Sequence, residues 1–136
     1  MVNKGDILYA LYGATSGEVS RSKIKGAINQ EILAILPHAN FDAEFIMQWL
    51  RRNKTTIIAT YLQGGQGNLS GTIVKDLQID LPSFNEQVKI GQFLNSFDNL
   101  ITLHQQKSLF NKQSFSLFKQ KPKILMYLHQ QKDTRG

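Results

Sequence analysis

Cysteine is absent from the 136 residues, which excludes disulfides, a thiol nucleophile and any thiolate zinc site. Proline occurs only three times, at positions 37, 82 and 122, so helices and strands have few enforced breaks. No apolar run approaches the roughly 18 residues that a membrane span requires. The opening Met1-Val2-Asn3-Lys4-Gly5-Asp6 has none of the order of a signal peptide. These absences point to a cytoplasmic chain with no membrane partner. A mass of 15.4 kDa fits one domain, or a small domain with an appendage, and excludes a multi-domain enzyme. The hydrophobic fraction of 41%, with 8 Phe, 4 Tyr and 1 Trp, is enough to build a core.

Catalytic patterns are also missing. The glycine-rich stretch 64–71 lacks the Gly-Lys-Ser/Thr ending whose lysine meets phosphate, so it reads as a loop facing some other polar surface. The histidines at 38, 104 and 129 have no metal-ligand spacing. Asp6, Asp80 and Glu86 are accounted for as turn, strand-edge and cap residues. No nucleophile–base pair or metal cluster can be assembled, and the sequence predicts neither catalysis nor a cofactor nor a metal.

Charge is unevenly placed. Residues 1–82 carry eight basic and seven acidic side chains, whereas residues 83–136 carry eight basic and three acidic. A near-neutral domain is therefore followed by a basic, Gln-rich tail. Excess lysine can attract nucleic acid by displacing counterions from phosphate, although for the charge alone a solvated helix face is the better account.

Periodicity outlines the elements. Ile7 to Tyr12 reads as a buried strand ending at Gly13, followed by the loop Gly13-Ala14-Thr15-Ser16-Gly17 and a polar basic stretch. Ala27 to Leu36 is a second strand candidate, stopped by Pro37; its polar centre, Asn29-Gln30-Glu31, marks an edge, a bulge or a functional surface. A helix is predicted from Asn40 or Asp42, either of which can cap it, with an interruption near residues 53–56 and weak propensity over 55–60. Ser70 can cap one short turn. Leu77 to Leu81 alternates as a strand closed by Pro82. Ser83-Phe84-Asn85-Glu86 has the form of a capping box and opens a long helix. Ile90, Leu94, Phe97 and Ile101 form one apolar stripe. Leu103, Phe110, Leu117 and Ile124 repeat every seven residues in what reads as a neighbouring stripe. Such a helix needs a helical companion, and Pro122 should kink or stop it near Lys121.

The predicted fold is α+β. A small mixed β-sheet domain with one or two helices occupies residues 1–82. A long coiled-coil-type helix spans 83–121, and a kinked or frayed tail covers 122–136.

Several of these segments, in this order, resemble a known family. They are Lys4-Gly5-Asp6-Ile7-Leu8, a glycine-containing loop, Asn29-Gln30, a helix start at Phe41-Asp42, Gly67-Asn68-Leu69-Ser70 and Leu77-Gln78-Ile79-Asp80-Leu81-Pro82. The most specific piece is Leu81 to Leu94, continuing through Phe97-Asp98-Asn99-Leu100-Ile101-Thr102-Leu103 to Lys107. Over roughly residues 4–121 the chain resembles the specificity (S) subunits of type I restriction-modification enzymes, specifically a target-recognition domain with its helical spacer. The resemblance implies a non-catalytic role. One recognition domain reads half of a split site in double-stranded DNA through loops at one end of its sheet. The spacers pair antiparallel and dock methylation (M) subunits, which carry the S-adenosylmethionine chemistry, and a separate restriction (R) subunit cleaves. It also implies a recognition domain that begins partway along, with a sheet edge left open.

Reading base edges needs paired donors and acceptors, and the candidates on flexible loops are Thr15, Ser16, Arg21, Lys23, Lys25, Gln63, Gln66 and Asn68. Arginine and lysine among them suit phosphate better than bases. The candidates for pairing with a second copy or another S-subunit helix are Phe97, Leu100, Ile101, Leu103, Phe110 and Leu117. The competing expectation is an assembly module that docks through its helix and reads no DNA.

Overall fold

The computed structural model describes residues 1–62 and 67–133, with side chains through residue 113. The chain divides into two compact units, residues 1–95 and 96–136. The first contains three short strands, β1 (Ile7–Ala10), β2 (Val19–Arg21) and β3 (Ile32–Ile35), then helices α1 (Ala43–Tyr61) and α2 (Gly71–Lys75). It also holds the opening turns of α3 (Phe84–Asp133), whose remainder forms the second unit. The architecture is α+β, as the sequence predicts.

The sheet order is β2-β1-β3, and both pairings are antiparallel, so the sheet is not mixed. β1 lies in the middle, paired on both sides, and its Ile7 and Tyr9 are fully buried. Around them pack Leu11, Val19, Ile46, Met47, Leu50, Ile57, Leu69 and Val74. Burying each such aliphatic side chain stabilises the fold by about 1.5–3 kcal/mol before entropy is counted. The Tyr9 hydroxyl is buried with no hydrogen-bond partner among the described residues, and desolvation raises its pKa.

Several boundaries differ from the sequence expectation, each for a local reason. β2 is absent from the pattern because Val-Ser-Arg offers one apolar residue in three; its place is set by the antiparallel register Ile7↔Arg21 and Tyr9↔Val19. The second strand begins only at Ile32, because Asn29 folds the chain into a turn. Its side-chain Oδ1 accepts from the Glu31 amide at 3.1 Å and its carbonyl accepts from Ile32 at 3.3 Å, an arrangement for which asparagine is well suited.

Helix α1 is capped by Asp42, whose Oδ1 accepts from the Phe45 amide at 2.8 Å. It continues without the interruption expected at 53–56. There Asn53 Nδ2 donates to the Trp49 carbonyl at 2.8 Å, and Thr60 Oγ1 donates to that of Thr56 at 2.8 Å. These polar groups bond one turn back rather than diverting the backbone, while buried Ile57 anchors the turn between them. Ser70 caps α2 through the Ile73 amide.

Leu77 to Leu81 is not a strand. Its alternation survives only as facing, with Leu77 and Ile79 half-buried and Gln78 and Asp80 exposed. α3 continues as helix through Pro122 to Asp133, past the kink or stop suggested near Lys121. A proline deletes one hydrogen bond from a helix, and here it does not end it.

Candidate functional site

The antiparallel register sorts the polar loop residues to two opposite ends of the sheet. At the end where β1 finishes, the chain turns through Gly13–Thr15, with Gly13 at a φ of +69° that strongly favours glycine. Asn68 meets this turn: its Oδ1 accepts from the Gly13 amide at 3.3 Å, and the Leu69 amide donates to the Leu11 carbonyl at 2.9 Å. The Asn29–Glu31 turn reaches the same end, since the Leu11 amide donates to the Glu31 carbonyl at 2.8 Å and Ala10 faces Ile32. Tyr12, Thr15, Asn29, Gln30 and Asn68 are all exposed here. Ser16 is different, being buried with its hydroxyl donating to the Leu11 carbonyl at 3.0 Å; its visible task is holding the turn. Gln63 and Gln66 lie outside the described residues.

Glu18 and Lys54 form an ion pair beside this turn. The hydrogen bond from Lys54, then its charge, lowers the Glu18 pKa. Lys54 is thus committed within the fold.

The other end of the sheet holds Arg21, Lys23 and Lys25. Arg21 Nε donates to the Gly5 carbonyl, and its guanidinium lies 3.6 Å from Glu44, so this side chain is a strut between β2 and the start of α1. Lys23 and Lys25 are exposed. The eight residues proposed from sequence therefore do not form one patch. Thr15 and Asn68 come together, whereas Lys23 and Lys25 sit at the opposite end.

Below the sheet, α3 starts from a cap. The Ser83 amide and hydroxyl both donate to Glu86 Oε2, at 3.0 and 2.7 Å, which lowers the Glu86 pKa, the hydroxyl bond contributing most. One turn on, Gln87 is only 2% exposed. Its Oε1 accepts from the Asp42 amide at 3.0 Å and its Nε2 donates to the Pro82 carbonyl at 2.9 Å. Gly91 lies against the same α1 terminus; a Cβ there would stand 2.8 Å from Asp42 Oδ1 and 3.0 Å from the Phe45 amide nitrogen. Sequence reasoning missed both residues, although a glycine inside a helical pattern is itself a sign of close packing.

Along α3, Phe97, Leu100, Ile101, Leu103 and Phe110 are all exposed, from 51% for Phe97 to 68% for Phe110. At about 100° of rotation per residue, Phe97 and Ile101 share one face, and Leu103 and Phe110 lie about 150° round from it. The two stripes are thus well separated, not neighbouring. The side chain of Leu117 lies outside the described residues.

The family model of the type I restriction modification DNA specificity domain matches residues 1–109, from the N-terminus into α3. The chain belongs to this family. Its role is accordingly that of a type I restriction-modification specificity subunit, and the family is in general non-catalytic. The match takes in both ends of the sheet, the Gln87–Gly91 seat and the helical residues through Leu109. Among the described residues no helix is long and apolar enough to cross a membrane, and no group of three or more His, Asp or Glu could hold a metal ion.

Proposed function

We propose that this specificity subunit reads double-stranded DNA at the sheet end built from Tyr12–Thr15, Asn29–Glu31 and Asn68, and docks methylation subunits through α3. One observation carries this reading: three loops distant in sequence converge there, and the bond between Gly13 and Asn68 Oδ1 ties two of them. Asparagine and glutamine side chains present the donor–acceptor pairs that match adenine edges in the major groove. Lys23 and Lys25 suit phosphate, which positions a protein without specifying sequence, but they sit at the opposite end of the sheet and lie outside this reading surface.

Fluorescence anisotropy with duplex DNA at varied salt tests this. Replacing Asn29 and Gln30 together by alanine should weaken duplex binding, whereas replacing Lys23 and Lys25 together, at the far end of the sheet, should leave the salt slope and the thermal midpoint unchanged. Arg21→Ala should instead lower the midpoint, because it removes a strut. A wild-type chain with no measurable duplex affinity at low salt would refute DNA reading.

A second reading, a helical assembly module that reads nothing, is favoured by the exposed apolar residues of α3. It predicts methylation-subunit binding that survives alongside that absence of DNA affinity. Cleavage chemistry in either case would come from a separate restriction subunit.

A further inference from the structure

The two edges of the sheet are finished differently. Because the Leu11 amide bonds the Glu31 carbonyl, the alternation of an antiparallel ladder aims the main-chain groups of Val19 on β2, and of Ala34 and Leu36 along β3, away from β1. On the β2 edge, Arg51 Nε donates to the outward Val19 carbonyl at 3.2 Å. On the β3 edge, the main-chain groups of Ala34 and Leu36 have no partner among the described residues.

Beside this open edge is a cleft of about 400 Å³. Leu33 and Ile35 line it from β3, Ile46 and Leu50 from α1, and Leu77 and Ile79 from the extended segment that follows α2. Among the described residues, Lys75 and His38 are its only charged or titratable lining residues, and Leu36 at its edge is 62% exposed.

An occupant must meet three conditions: repeating main-chain donors and acceptors, apolar groups at every second position, and a negative charge near Lys75. A small molecule meets the second and third but not the first. A nucleic acid fails against an apolar wall.

We propose that the β3 edge and its cleft accept an extended polypeptide segment of a partner protein. The segment is added as a fourth strand, with alternate apolar side chains in the cleft and a carboxylate toward Lys75. Strand addition of this kind takes affinity from main-chain bonds and specificity from alternate side chains. This surface lies apart from the proposed DNA-reading loops and does not depend on them.

The test uses the full chain and a labelled nine-residue peptide alternating valine and threonine, with one central glutamate. Amide exchange at Ala34 and Leu36 should slow at least tenfold at saturating peptide, with β2 unaffected. Ala34→Pro deletes an outward-facing donor and leaves the β1 ladder bonds intact; Leu36→Lys places a charge at an exposed position. Each should weaken peptide binding at least tenfold without changing the circular dichroism spectrum. Lys75→Glu should weaken it too, and exchanging the peptide glutamate for lysine should restore it.

Unchanged exchange at Ala34 under millimolar peptide would overturn the proposal, as would equal affinity for wild type and both edge variants. Protection that rises with protein concentration in the absence of peptide would assign the edge to a second copy and overturn it as well.

Discussion

Gly91→Ala sets two ordinary expectations against each other. In an exposed helix interior, alanine in place of glycine stabilises by about 1 kcal/mol. At this position the new methyl would stand 2.8 Å from Asp42 Oδ1, 3.0 Å from the Phe45 amide nitrogen and 3.2 Å from Glu44 Cβ. Two of those atoms are the acceptor and donor of the α1 cap. Backbone nitrogen cannot swing aside as a lysine tip can, so the added methyl both pushes α3 off α1 and breaks the cap bond. Overpacking costs about 1–3 kcal/mol, and loss of an Asp cap about 1 kcal/mol. With the helix-propensity gain subtracted, the variant should be less stable by about 1–3 kcal/mol. Urea denaturation followed by circular dichroism reads this as a lower midpoint at unchanged slope. Gly71→Ala is the control, since its nearest contact would be Leu33 Cδ1 at 3.8 Å; its midpoint should stay level or rise slightly. A Gly91→Ala protein as stable as wild type, or more so, would refute the close docking of α3 on the α1 terminus.

Gln87→Ala should cost about 1–3 kcal/mol, because the half-buried Asp42 amide and Pro82 carbonyl lose their partner; the same urea titration measures it. Glu86 makes stability pH-dependent with a definite sign. Its pKa is lowered in the folded state, so its contribution is present above the unfolded carboxylate range and is lost as pH falls through the folded value. Glu86→Gln should therefore lower the thermal midpoint at pH 7 and leave it nearly unchanged at pH 2.5, where a wild-type advantage that persists would contradict the assignment. Replacing Phe97 and Ile101 together by serine should reduce light-scattering mass at high protein concentration, because it erases one of the two apolar faces. A wild-type chain that stays a monodisperse monomer would count against helix pairing.

Much of the fold was legible because short-range chemistry decides it. The Asp42 cap, the Ser70 cap and the Ser83–Glu86 pair each act over three residues, and a sequence window contains all of their parts. β1 was legible because a central strand is apolar on both sides. What failed was decided elsewhere in the chain. Val19–Arg21 becomes a strand because β1 offers it a register, and Leu77–Leu81 fails to become one because no neighbouring strand meets it. The continuity of α1 depends on Ile57 reaching the core, which outweighs the weak propensity of Thr55 and Thr56. For the candidate site, residue types were legible but their grouping was not. Arg21, Lys23 and Thr15 are close in sequence, yet a single antiparallel hairpin sends them to opposite ends. Gln87 and Gly91 looked like ordinary helical surface, because their partner is the start of a helix some 45 residues earlier.

The link between Gly13 and Asn68 has a consequence for how target preference could diversify. A side chain at one end of that bond cannot be exchanged without shifting the segment at the other, so the two segments behave as one unit of variation. Swapping a single loop between relatives should yield a protein that folds yet reads poorly, while transplanting both together should carry the preference across.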